Sequence, residues 1–333
     1  AYPHERTMVL SAIGEVHKVS CVRFVQRTTE QHYISFIRGS GCSSYVGRLQ
    51  MAAQPVSIGQ GCAFTGTILH ELLHVLGFFH TSSRPDRDSY VVVYTDNVAT
   101  GYEHNFWKYQ TNQVDDIGAP YELLSLMHPP RNAWSKNSLN TIESKKGNTV
   151  VLGNSDKMTE VDIGQLNTLY KCSSSHYPVC YKSLGMQDGS ISDAQLTASS
   201  YNSNDYPHQA RLHLVSSAKG SGAWCANPSN DGEWLQIDFG SYKYIKGIAT
   251  QGKIDVFGTD SWVKHYNFHF SYDGSNWYDY ATWFPQGLSA NYDGSAVEYN
   301  KLPVLISARY LRIIPTAWKT AMCMRVEVYG CNY

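Results

Sequence analysis

No apolar run approaches the roughly 18–20 residues that a membrane-spanning helix needs. The longest, such as Val75–Phe79, are core-sized, which argues against a transmembrane class. Charge of one sign is also lacking: 27 Lys and Arg face 28 Asp and Glu, for a formal net charge of −1. Residues 1–172 hold 15 basic and 15 acidic side chains, leaving 12 and 13 for the remainder. Neither part offers the basic surface that nucleic acid requires. There is no CxxC pair, so the eight cysteines read as disulfide partners rather than a zinc ribbon. No Asn-x-Ser/Thr sequon with x other than Pro occurs, and N-glycosylation is not expected. No initiator Met and no apolar signal segment appear across Ala1–Leu10, as in a processed form or a fragment missing its start. Internal repeats and low-complexity tracts are absent as well.

What is present fits two packed domains. The chain has 333 residues, of which 42% are hydrophobic, enough for folded cores and too many for a disordered chain. Dispersed cysteines point to an oxidising compartment, most simply secretion. Up to Cys172 the pattern contains helical stretches, Thr67–Phe79 and Thr159–Tyr170, the second opened by Thr159 as N-cap with Asp162 three residues on. Ser173–Pro178 is a short polar stretch that reads as a linker. After Cys180 the period becomes two, in Trp234–Phe239, Tyr266–Tyr272 and Arg325–Tyr329, with Asp273-Gly274 as a hairpin turn signal. That pattern suggests a β-sandwich or barrel. The expected division is 1–172, a linker at 173–179, and 180–333. Each half then holds four cysteines.

The stretch from His70 to His80, HELLHVLGFFH, carries the chemistry. On a helix His70 and His74 lie on one face, one turn apart, and both can reach one cation at about 2.0–2.1 Å. Gly77 can take positive φ and end the helix, so His80 can return as a third ligand. Three protein ligands leave a fourth position for water, the arrangement of catalytic zinc. Glu71 sits beside the first ligand, placed to take a proton from that water, whose pKa zinc lowers towards about 7. A third His and a Gly at this spacing, followed 47 residues after His80 by Met127 in Ser125–His128, match the metzincin signature with its Met-turn.

Within that group the chain resembles the astacin metalloproteases. The motif continues into Arg84-Pro85-Asp86-Arg87-Asp88-Ser89-Tyr90, and Cys21–Phe24, Gly41–Arg48 and Leu166–Cys172 also match. The resemblance covers roughly residues 6–172. It implies disulfides Cys21–Cys172 and Cys42–Cys62, endopeptidase activity, and an extended peptide bound along an edge strand near Tyr45, Val46, Gly47 and Arg48. Three positions depart from the family pattern. Pro129 stands where astacins carry a Tyr that ligates zinc and stabilises the transition state. Thr81 stands where a Glu pairs with the mature N-terminus. The family's first strand and its Ile-Pro-Tyr-like segment are missing before Arg6. The expectation is a changed maturation lock and slower hydrolysis.

Leu184–Asp193, Ala223-Trp224, Trp234–Gly240, Thr250–Gly252, Ala308–Arg312 and Met324–Cys331 carry a second resemblance, to the discoidin (coagulation factor 5/8 type C) domain. It implies a jelly-roll-like sandwich over about 180–331, closed by Cys180–Cys331, with Cys225 and Cys323 left to pair. It also implies binding of membranes, glycans or proteins through loops at one end. By position these loops are Tyr201–Gln209, Asp255–Trp262 and Trp283–Asn291, with Tyr206, Phe257, Trp262, Trp283 and Phe284 as candidate contacts. They contain no basic cluster, which weighs mildly against strong anionic-lipid binding.

Together these readings give an α+β fold class, a metzincin protease domain followed by an all-β sandwich. The expected protein is a secreted, extracellular zinc endopeptidase binding one zinc per chain. His70, His74 and His80 are the expected ligands and Glu71 the base. The second domain would localise it on a cell-surface, glycan or matrix ligand. The rival reading is a zinc-retaining, weak or inactive protease fold with an adhesive or structural role.

Overall fold

The computed structural model describes residues 3–147, 149–173, 180–218, 220–254 and 259–332. The chain forms two units, Ala1–Ile117 with Tyr121–Val179, and Gly118–Pro120 with Cys180–Tyr333. Phe257, and residues 174–179 of the expected linker, lie outside the described residues.

The first unit opens with helix α1 (Pro3–Val19), a helix not expected from the sequence. The signal was available. Met8, Ala12, Val16 and Val19 recur at helical spacing, and Ala12 and Val16 are buried in a core shared with the next helix. That helix, α2 (Thr65–Val75), buries Ile68, Leu69, Leu72 and Leu73 against Val56, Ile58, Met127 and Leu166. It ends four residues before the expected Phe79. Gly77 adopts φ 102°, the Gly77 N–H bonds the His74 carbonyl at 2.9 Å, and the Phe78 N–H bonds the Leu73 carbonyl at 3.0 Å. These two bonds form a Schellman stop, which needs a residue free of the Cβ penalty at positive φ. Gly66 serves a different need. A Cβ there would lie 1.9 Å from the Ser155 carbonyl oxygen, so the first turn of α2 can approach that loop only without a side chain.

Helix α3 (Glu160–Leu169) begins with the expected Thr159 cap, and Asp162 completes a capping box. Strands β1 (Tyr33–Ile37), β2 (Cys42–Ser44) and β3 (Ala53–Ile58) form a sheet in the order β1-β3-β2. β1 runs parallel to β3, and β2 runs antiparallel to it at the sheet edge. A two-stranded ladder joins β4 (Val91–Val93) to β5 (Ile142–Ser144). Disulfides Cys21–Cys172 and Cys42–Cys62 close this unit.

The second unit is an all-β sandwich whose described helical elements are single 3-10 turns. Short strands β6 (Lys182–Ser183), β7 (Leu196–Ala198) and β8 (Trp224–Cys225) precede the long β9 (Leu235–Gln251) and β10 (Trp262–Ser271). After these come β11 (Tyr278–Asp279), β12 (Leu288–Ser289), β13 (Val297–Lys319) and β14 (Cys323–Asn332). The main path is β11-β10-β13-β9-β14-β6. Register shifts in the β9–β13 ladder between Lys301 and Ile306, and between Ala308 and Tyr310, reset the pairing of strands too long to stay flat. The inward positions that alternate along the sequence, such as Leu235, Ile237 and Phe239, are buried with Tyr266, Phe268 and Phe270. The Asp273-Gly274 turn joins β10 to β11, with Asp273 accepting from the N–H groups of Ser275 and Asn276 at 2.8 Å each. Cys180–Cys331 and Cys225–Cys323 are bonded.

Buried Arg325 donates to the carbonyls of Gly252, Leu214 and Gly294 at 2.7–2.9 Å, tying three loops at one end of this unit. Two residues on, Glu327 is fully buried. It accepts from the N–H groups of Met186, Gln187 and Val328.

Candidate metal centre and active site

His70 and His74 stand on successive turns of α2, and the Schellman turn brings His80 back to them. One ring nitrogen from each lies within 4.8 Å of the others, and the Nε2 atoms of His70 and His80 are 3.3 Å apart. Tetrahedral zinc with bonds of about 2.0–2.1 Å requires ligand nitrogens roughly 3.3–3.4 Å apart. The outer nitrogens are engaged by backbone. His70 Nδ1 lies 2.8 Å from the Leu126 carbonyl, and His74 Nδ1 lies 2.7 Å from that of Phe78. A carbonyl only accepts, so each Nδ1 carries the proton and each Nε2 keeps a lone pair for a cation. Burial pulls all three imidazoles below the ordinary histidine range, His74 to about 3, so they are neutral. Neutral, converging nitrogens, two of them with carbonyl partners behind their rings, are the donor set that zinc takes.

Glu71, beside the first histidine, is 5% exposed, and its Oε2 has no hydrogen-bond partner. Burial pushes its carboxyl up to about 7. An unpartnered buried carboxylate oxygen costs stability, which marks it as held for something other than packing.

The loop Ser125–His128 passes behind this cluster. Met127 is buried in the same core as α2, and its carbonyl accepts the Thr81 N–H at 3.0 Å, fixing the residue after His80. Asp162 anchors the loop. Its Oδ1 accepts from Ser125 Oγ at 2.6 Å, and its Oδ2 accepts from the Leu126 N–H at 2.9 Å as well as from Thr159 N–H. A chain of contacts therefore runs from Asp162 through Leu126 to His70 Nδ1. The sequence marks Asp162 only as a capping residue. Nothing in it signals the partner 36 positions earlier. Pro129 and Trp134 line the same cavity as His70 and His80, and the Trp134 ring lies 5.5 Å from that of His80.

Tyr45, Val46, Gly47 and Arg48 directly follow edge strand β2. The Gly47 N–H bonds the His74 carbonyl at 2.8 Å, and the Gly47 carbonyl accepts from Gln54 Nε2 at 2.9 Å. This segment is therefore pinned to the helix that carries the histidines.

The described candidate ligand aromatics of the second unit have different surroundings. Tyr206 stacks on His208 at 5.3 Å. Trp262 opens β10, with its Nε1 buried and lacking a partner among the described residues. Trp283 is exposed beside Phe270. Phe284 packs against the core and stacks on Tyr280 at 4.7 Å, so its area is already used within the sandwich. Among the described residues, no helix is long and apolar enough to cross a membrane.

Comparison with known proteins agrees with this arrangement. Residues 1–171 match the family model described as Astacin (Peptidase family M12A), and residues 195–328 match that of the F5/8 type C domain. Meprin A subunit alpha of Mus musculus is 38% identical over 223 residues, covering 64% of this chain and 29% of the relative. Zinc metalloproteinase nas-4 of Caenorhabditis elegans is 38% identical over 171 residues, covering 51% and 54%. The solved structure of high choriolytic enzyme 1, a hatching enzyme zinc-protease from Oryzias latipes, superposes with a TM-score of 0.49 at 34% identity, covering 52% of this chain and 86% of that one. The chain thus spans from under a third to about half the length of these two curated relatives.

Proposed function

We propose, from the premise that this chain belongs to the astacin family of peptidases, that it is a secreted zinc-dependent endopeptidase. A discoidin-type unit would localise it on a cell-surface, glycan or matrix ligand. The observation that carries the reading is the three converging histidines beside a buried carboxylate oxygen with no partner.

His70, His74 and His80 hold one zinc ion. Bound there, zinc supplies Lewis acidity that polarises a substrate carbonyl and makes water a nucleophile at neutral pH. Glu71 takes the proton of the attacking water and returns it to the leaving amine. The substrate lies extended along the free edge of β2 and Tyr45–Arg48, held by main-chain hydrogen bonds. Four disulfides support an oxidising, extracellular setting. The protease domain is taken as 1–172, the linker as 173–179 and the discoidin domain as 180–333. Tyr206, Trp262 and Trp283 remain its ligand candidates.

Pro129 favours a second reading, an adhesive protein that keeps its zinc but hydrolyses slowly or not at all. A proline offers no hydroxyl to the cavity that His70 and His80 share with it. Hydrolysis of a denatured protein substrate, with and without chelator, separates the two. Elemental analysis should find one zinc per chain, and His74→Ala should lose it. Stoichiometric zinc without cleavage of any substrate would leave the adhesive reading.

A further inference from the structure

Beside His70 and His80 opens a cavity of about 330 Å³, at the lower end of the range for small-molecule sites, about 300–1,000 Å³. Leu126, Pro129, Pro130 and Trp134 form its apolar walls. Among the described residues that line it there is no Lys, Arg, Asp or Glu. Two of its polar side chains are already engaged. His128 has Nε2 against the Tyr121 hydroxyl at 3.1 Å and Nδ1 against the Pro129 carbonyl at 2.8 Å. Asn154 donates to the Leu124 carbonyl at 2.6 Å and accepts from the N–H groups of Asp156 and Lys157 at 3.0 Å each. The large wall is fixed: Trp134 sits between His80 and Phe106, at ring distances of 5.5 and 5.6 Å.

We infer that this cavity receives a substrate side chain flanking the scissile bond and selects a large uncharged apolar one, excluding Asp, Glu, Lys and Arg. The inference rests on the peptidase reading above. Its position follows from its wall. A peptide whose carbonyl reaches the histidine cluster brings a neighbouring side chain to the space that His70 and His80 border. Its selectivity follows from its chemistry. A carboxylate or ammonium entering it leaves water, meets no charged side chain of opposite sign among the described lining residues, and finds His128 and Asn154 already engaged, which costs far more than an apolar group would. An apolar side chain gives up nothing and is drawn in by the area it removes from water. Pockets that differ by one methylene already discriminate by about 10–200-fold, so a charged against an aromatic side chain should differ by roughly 100-fold or more.

The test uses the zinc-loaded full chain and reads binding as well as turnover. Two hydroxamates, identical except for a benzyl or a carboxymethyl side chain, are titrated calorimetrically. The benzyl compound should bind about 100-fold tighter. In Ala133→Arg, which adds a cation to the wall, that ratio should fall at least tenfold. Cleavage of a mixed peptide library should show Phe, Tyr, Leu or Met enriched on one side of the cut, and Asp and Glu depleted there. Equal or tighter binding of the carboxymethyl compound by the parent chain overturns the inference. So does failure of both compounds to bind a fully zinc-loaded chain, and so does enrichment of acidic residues at both positions flanking the cut. A chain that takes up no zinc instead defeats the peptidase reading, and this inference with it.

Discussion

Glu71 in the first unit and Glu327 in the second are both buried, and burial pushes both carboxyls up to about 7. Their partners differ. Glu327 spends its oxygens on three backbone N–H groups that join β14 to the segment Met186-Gln187. Glu71 leaves Oε2 with none, beside three converging histidines. Burial alone therefore does not distinguish a reactive carboxylate from a structural one. The count of satisfied lone pairs does. In the second unit, buried Arg325 likewise spends its charge on backbone, donating to three carbonyls and tying loops. In the first, polar groups are aimed at a shared point and held there by backbone carbonyls.

The sharpest test of this contrast is to make the same substitution at both sites. Glu71→Gln should keep zinc and the fold while hydrolysis falls by about 10²–10⁴-fold, the usual worth of a positioned general base. Glu327→Gln should leave turnover and zinc content alone. It turns an amide N–H₂ towards backbone donors that need an acceptor, and should destabilise the second unit by about 1–3 kcal/mol. Activity and metal assays together with calorimetry check both. A Glu71→Gln protein with parental activity would show that another group takes the proton.

Pro129 brings the contrast into the active site itself. A phenol at that position would add one donor facing the space shared by His70 and His80, and such a donor is typically worth about 10²–10³ in kcat. Pro129→Tyr should therefore raise kcat with little change in KM. Pro130 follows and confines residue 129 to extended backbone, which tyrosine accepts. Unchanged kcat in a folded, zinc-loaded variant would show that this site does not use the donor.

The histidine spacing and Gly77 made the metal cluster legible, because an i, i+4 pair and a helix stop are local features. Thr159 with Asp162 marked the start of α3, and strict alternation marked β9, β10 and β14. Helix α1 was missed although Met8, Ala12 and Val16 carry its period. The outer ring of the site was not legible at all. The Leu126 and Phe78 carbonyls that orient the histidines are main-chain groups, and any residue supplies a carbonyl. Likewise Trp134 meets His80 only through tertiary folding.

Asp162 tests that hidden ring. Asp162→Ala removes both acceptors, so Ser125 Oγ, the Leu126 N–H and the Thr159 N–H lose their partner. The Leu126 carbonyl then holds His70 Nδ1 less firmly. Groups that orient a metal ligand are commonly worth 10–100-fold in affinity. A loss at the lower end, about tenfold, is expected here because one peptide unit intervenes. Zinc competition with a chelator of known strength measures it, and unchanged affinity would detach Asp162 from the site.

The smallest effect is the pH dependence of Glu327. Its carboxyl is raised from an ordinary value of 4.5 to about 7, first by burial and also by the charge of Asp188, against the pull of its three N–H donors. A carboxyl raised on folding binds its proton more tightly in the folded chain. Its contribution is therefore complete below pH 4.5 and is lost as pH rises to about 7. Through the middle of that window the loss approaches about 1.4 kcal/mol per pH unit. Half-buried Asp238 and exposed Asp273 act oppositely, since Arg309 holds the first below the usual carboxylate range and the N–H groups of Asn276 and Ser275 the second. Their contribution is lost as pH falls below that range, so the net curve is a dome, and the comparison must be between variants. Relative to Glu327→Gln, the parent chain should gain stability on acidification from pH 7.5 to pH 5, in the calorimetric transition that chelator leaves untouched. Parallel curves for the two proteins across that range would mean that Glu327 is ionised throughout, its three N–H donors outweighing its burial.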